Sequence, residues 1–161
     1  MGRKVEPMNF KLPIVELKSD NFASYSVDSG VDIAVPYGTK VYAPHDGYII
    51  YSEWGHTPWC EGNDTNGSIL ILLIPHHRYQ GINYNYIWMT HLSKLVYDIR
   101  DGEQTKFITQ GTYIGKTGRG NNNEHLHMGL LISRAQKSGD YLPAMQFQHY
   151  LKSLLVKENR E

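Results

Sequence analysis

The stretch His125-Leu126-His127-Met128-Gly129-Leu130-Leu131-Ile132-Ser133 decides the fold. It reads as a strongly apolar strand, the last one in the chain. Alternate side chains of a strand share a face, so His125 and His127 project together while Leu126 and Met128 face the other way. Two imidazoles on a rigid strand form half of a metal or acid/base site. In a chain with eight histidines an H-x-H also arises by chance, so the surroundings must carry the assignment.

Working outward, the pattern is one of short strands and tight turns. A polar loop, 119–124, precedes the H-x-H strand, and a glycine-bounded strand, 111–116, precedes that. Upstream lie an alternating aromatic strand at 84–91, a polar loop at 76–83 and an all-apolar buried strand at 68–74. A loop rich in Gly, Asn, Asp and Pro fills 54–67. Strands at 40–43 and 48–52 flank His45-Asp46-Gly47, a hairpin signal, and 31–35 is a further strand. Val96, Ile99 and Phe107 mark one more short segment. Residues 1–24 read as a lead-in with a strand at 11–17. After Pro143, the residues Phe147, Tyr150, Leu151, Leu154 and Leu155 fall on one helical face, and Pro143 is placed to start that helix. The expected organisation is a lead-in at 1–24, one β-domain at 25–142 and an amphipathic helix at 143–161 packed on it.

Composition agrees. The chain has 161 residues, enough for one domain with a real core, and 12 tyrosines, 15 glycines and 7 prolines suit a turn-rich β fold. Acidic and basic residues balance at 16 each, which points away from nucleic acid and anionic membranes. The single cysteine, Cys60, excludes an internal disulfide framework and a cysteine-only zinc site. The basic start is followed by no apolar h-region, and the apolar run 69–74 is too short to span a bilayer. We therefore expect no signal peptide in this chain, no membrane insertion and a monomer.

Asp28 and Asp32 sit four apart around Gly30. In an extended strand that spacing is about 13 Å, too far to share an ion. Glycine allows a bend between them. Asp28-Ser29-Gly30 alternatively reads as a solvated turn. Asp32, entering an apolar strand, wants a partner, because a half-buried carboxylate is costly alone. His91 ends a strand, a place where histidines are often structural. His45, His56, His76, His77 and His149 read as solvent-facing, with His56 and His76 in reserve for a site.

Five segments together resemble the lysostaphin/LytM-type zinc metallopeptidases, which cut peptide cross-links in bacterial cell walls. They are GVDIAVPYGTKVYAPHDGYI (30–49), SILILLIPH (68–76), YIWMTHLSKL (86–95), GTYIGKTGRG (111–120) and EHLHMGLLI (124–132). They occur in the family's order and cover most of residues 28–132. The resemblance implies a mainly β, compact antiparallel sheet or barrel-sandwich domain with a C-terminal helix. It also implies metal ligands at Asp28, Asp32 and His127, and a catalytic pair at His91 and His125. His125 would take a proton from water, and His91 would donate to the developing oxyanion. The loops 54–67, 76–83 and 116–124 would wall a groove for an extended peptidoglycan peptide. Two positions depart from the pattern: the family has histidine where Asp28 stands, and a small residue or proline where Glu124 stands.

An aspartate in place of that histidine adds one negative charge to the ligand set. It makes zinc a weaker Lewis acid and tilts selectivity towards harder ions such as Mn²⁺. Three readings follow. The first is a metal-dependent peptidoglycan endopeptidase. The second is a degenerate, inactive binding or activator module of the same family. The third is a lipoyl-type carrier barrel, which would need a lysine at a hairpin tip. Action on the wall implies a periplasmic, extracellular or phage-delivered protein.

Overall fold

The computed structural model describes residues 10–24, 29–57 and 59–159, the side chains only as far as 155. Nine strands are present among them: β1 (Phe22–Ala23), β2 (Val31–Ile33), β3 (Lys40–Tyr42), β4 (Gly47–Trp54), β5 (Gly67–Tyr79), β6 (Ile82–Leu95), β7 (Lys106–Ile108), β8 (Tyr113–Gly120) and β9 (Asn123–Leu131). All pairings are antiparallel, in the order β1-β2-β9-β8-β6-β5-β4-β7, with β3 on β8 and a second pairing of β9 with β6. The mainly β, antiparallel architecture with a C-terminal helix is the one expected.

Alternation builds the core as the sequence implies. Val31, Ile33, Ile69, Ile71, Ile87, Met89, Leu126 and Met128 are fully buried on one face of the sheet. The helix α1 (Ala144–Asn159) follows Pro143 and covers the β1–β2–β9 side. Its Phe147, Tyr150, Leu151, Leu154 and Leu155 are all buried. Burying one such large apolar side chain is worth about 1.5–3 kcal/mol.

The structure changes several local expectations. Residues 11–17 form no strand: Pro13 has no N–H to give a ladder, and the chain bends from 13 to 16. Leu12, Ile14 and Leu17 are buried in the core all the same. His45-Asp46-Gly47 is not a hairpin turn, because β3 pairs with β8 while β4 pairs with β5 and β7. It is a corner, fixed by Asp46 accepting the Gln110 N–H at 2.7 Å. The polar run 76–83 is no open loop. β5 and β6 continue through it, joined by Gln80 and Gly81 with φ of 50° and 81°. Two left-handed residues make the tight turn that matches strand twist. The loop 119–124 likewise shrinks to Asn121 and Asn122, φ 51° and 64°, between β8 and β9.

β6 organises the site. Residues 86–90 pair with β9, whereas Leu92, Lys94 and Leu95 pair with β8. Between these halves, two steps on β5 (Gly67 to Ile69) face three on β6 (Leu92 to Met89), so β6 carries an extra residue there. That is a β-bulge, and His91 in it has φ 65°.

Candidate active site

Asp32, His91, His125 and His127 converge at the floor of one groove of about 1130 Å³. Three strands deliver them. Asp32 on β2 stands directly opposite His127 on β9, so both side chains leave the sheet on the same side. His125 follows by alternation, with Leu126 and Met128 fully buried behind it. His91 follows for a different reason. Met89 and Leu92 both enter the core, and the bulge turns Thr90 and His91 together to the other face. A left-handed, non-glycine residue in a strand costs energy that the surroundings must hold in place.

The contacts fix most proton positions. His127 Nδ1–H donates to Asp32 Oδ1 at 2.8 Å, and the Ser29 hydroxyl donates to His127 Nε2 at 3.2 Å. His125 Nδ1–H donates to the Asn123 carbonyl at 3.0 Å, and its Nε2 lies 3.6 Å from Asp32 Oδ1. His91 Nδ1–H donates to the Thr65 carbonyl at 3.2 Å. A carbonyl can only accept, so neutral His91 carries no proton on Nε2. Burial, aided by the nearby His125 and His127, pulls the His91 pKa down to about 4. The His91 ring lies 5.1 Å from that of His125 and 6.3 Å from that of His127.

Glycines make the room. A Cβ on Gly120 would run into the His91 ring, and one on Gly30 into the Met128 carbonyl. Gly30 therefore serves close approach of β2 to β9, not a left-handed bend. Asp28 lies outside the described residues. Among the described residues no group of three or more His, Cys, Asp or Glu side chains stands ready to hold a metal. Asp32 Oδ1 and His127 Nδ1 supply two donor atoms of the oxygen and nitrogen type that suits zinc.

Two of the three expected loops, 54–67 and 116–124, contribute to the walls. Trp59 of the 55–66 loop lines the groove, as does Asn121. The 76–83 hairpin does not: His77 packs under Phe10 and Tyr150 instead. The other wall is the segment after β9, with Gln136, Ser138, Tyr141 and Met145, which carried no recognisable motif. Tyr141 is held by Gln136 Nε2–H at 3.2 Å, and burial raises its pKa. His45 and His77 are buried rather than solvent-facing. His77 is pushed down to about 4 by burial and by His45. His56 pairs with Glu53 at 2.6 Å and stacks on Tyr51, and it does not line the groove. Glu124 is structural here, accepting the Tyr37 N–H at 3.1 Å and facing Arg119 at 3.7 Å.

Among curated proteins none matches the chain. Among solved structures, the catalytic domain of the antimicrobial peptidase lysostaphin from Staphylococcus simulans is similar at a TM-score of 0.55 and 21% identity, over 81% of this chain and 95% of that one. A zinc containing peptidase from Vibrio cholerae is similar at a TM-score of 0.57 and 18% identity, over 86% of this chain and 40% of that one. A further structure of the antimicrobial peptidase lysostaphin from Staphylococcus simulans gives 0.56 and 22%, over 82% of this chain, which spans 50% of its length. Such identities speak for the fold. The sequence itself matches the model of Peptidase family M23 over residues 26–139. The chain belongs to Peptidase family M23.

Proposed function

We propose that the protein is a metal-dependent endopeptidase that cleaves stem or cross-bridge peptides of peptidoglycan. The observation that carries this reading is the meeting of Asp32, His91, His125 and His127 on one groove floor. Asp32 and His127 would hold a zinc ion, with Asp28 as the third ligand, in a domain spanning 25–142. Zinc held there would acidify water and polarise the scissile carbonyl.

This chain's residues would do the rest. His127 Nδ1 would become a ligand once its proton moves to Nε2, where the Ser29 hydroxyl oxygen can accept it. Neutral His91 presents an unprotonated Nε2, and His125 presents its Nε2 beside Asp32. Either can take a proton there and pass it to the leaving amine. His91 becomes an oxyanion donor only after gaining that proton, because its Nδ1–H is already committed to Thr65. Ser29 orients His127 from the far nitrogen. Trp59 and the 136–145 segment flank an open channel suited to an extended peptide. The bacterial cell wall is the place of action in this reading.

Incubation of purified peptidoglycan with the zinc-loaded protein tests it. New amino termini from cross-link peptides are expected, lost on adding a chelator or on His125→Ala. A protein that stays metal-free at saturating zinc and leaves the wall intact would instead be the degenerate binding module.

A further inference from the structure

We infer that Thr65, pinned by Asp64, is the positioning residue that fixes the ring orientation and tautomer of His91. This rests on the peptidase reading for its kinetic arm only. A bulge residue loses its place in the ladder, so the buried His91 needs partners from elsewhere. Thr65 supplies them at both ends. Its hydroxyl donates to the His91 main-chain carbonyl at 2.7 Å, and its own carbonyl accepts His91 Nδ1–H at 3.2 Å. One residue thereby holds the backbone and the ring of another.

Thr65 is itself held on the opposite side. It exchanges backbone and side-chain bonds with Arg119: Thr65 N–H to the Arg119 carbonyl at 2.9 Å, and Arg119 N–H to Thr65 Oγ1 at 3.0 Å. The hydroxyl occupies the space where a Cβ of residue 118 would lie, so Gly118 is the complement of Thr65. Next door, Asp64 accepts the N–H groups of Asn121 at 3.1 Å, Asn122 at 3.3 Å and Glu61 at 3.3 Å. This staples the 55–66 loop to the β8–β9 turn. Asp64 thus ties this loop to the strand pair that also carries His125. Cys60 Sγ lies 3.6 Å from His91 Nδ1, a weaker competitor for the same nitrogen.

The test is the tautomer of His91, read by long-range ¹H–¹⁵N spectra of the histidine-labelled full chain with zinc added. His91→Gln assigns the signal. We expect the Nδ1–H form in the unmodified protein. Thr65→Val keeps that carbonyl but removes the hydroxyl that ties it to the His91 backbone and to Arg119. The loosened carbonyl should let the ring shift towards Nε2–H, and kcat on a soluble cross-link peptide should fall by about 10–100-fold with KM within about 2-fold. Thr65→Ser should restore both, and Asp64→Asn should act in the direction of Thr65→Val. An Nε2–H His91 in the unmodified protein overturns the inference. So does a folded Thr65→Val with unaltered spectrum and rate. If no peptide is cut by any form, the peptidase reading fails, while the spectra still decide the role of Thr65.

Discussion

Gly120→Ala is the sharpest probe of where His91 must sit. The three nearest atoms to an added Cβ all belong to the His91 ring, and the farthest of them, Cε1, would be 2.6 Å away. Ordinary contact begins near 3.4 Å, so the ring must retreat by about 0.8 Å or more. It has little room to do so. His91 is 1% exposed, its Nδ1 is tied to Thr65, and its ring lies 5.1 Å from that of His125. Gly120 has no left-handed φ, so alanine brings no backbone strain there. A misplacement of about 1 Å at a catalytic group costs about 10²-fold in rate. Overpacking costs about 1–3 kcal/mol, partly offset by about 0.4–1 kcal/mol from a stiffer unfolded chain.

The expected result is kcat down about a hundredfold, a melting point lower by a few degrees and unchanged zinc affinity. Peptide release from purified peptidoglycan, a thermal melt and zinc titration read these three quantities. Gly38→Ala is the control. Its φ is 87° and no atom lies within 4 Å, so it should cost about 1–2 kcal/mol of stability and leave the rate alone. Gly120→Ala at full rate would refute the placement of His91 as a group that must be held still.

Other perturbations follow from the same geometry. Asp32→Asn and His127→Ala should each lower zinc affinity by at least about tenfold in a competition titration, since each removes one of the two donor atoms seen together. Asp28→His should tighten zinc about tenfold if residue 28 is a ligand, and should do nothing if it faces solvent. Stability should fall on acidification through His77. Its folded pKa, about 4, lies below its ordinary 6.5, so the unfolded chain takes the proton first. The loss then runs from about pH 6.5 down to about 4 and amounts to about 3 kcal/mol, read by denaturant melts. His77→Phe keeps the ring packing against Phe10 and Tyr150 and should flatten that part of the curve.

The parts of the site that alternation controls were legible in the sequence. His125 and His127 share a face because period two is a property of any strand, and Asp32 joins them because its strand pairs in register with theirs. His91 was legible only by resemblance. Its direction depends on a bulge, and a bulge is an event of pairing between β5 and β6 that no local pattern announces. The same limit explains the corner at 45–47. Asp-Gly favours a turn, but which strands the turn separates is decided by partners more than twenty residues away. The buried His77 shows the complementary failure. A polar run looks solvated until a lead-in and a terminal helix close over it, and neither is a neighbour in sequence.

The charge balance on the groove floor bears on what the site is for. Three imidazoles surround one carboxylate, and the ring contacts of His91 and His125 to carbonyls commit Nδ1–H, so that in the neutral rings Nε2 is the acceptor. Lone pairs and a negative oxygen facing one space make a site for a cation, not for an anion. With zinc in place, Asp32 and a neutral His127 would leave a net charge of +1, and Asp28 would bring it to zero. In the peptidase reading a neutral centre would withdraw less charge from water, so more of the work would fall on the bases beside it. That places unusual weight on His91 and His125 being correctly aimed. It is consistent with a floor where a threonine, an aspartate and two glycines are all spent on holding a single histidine.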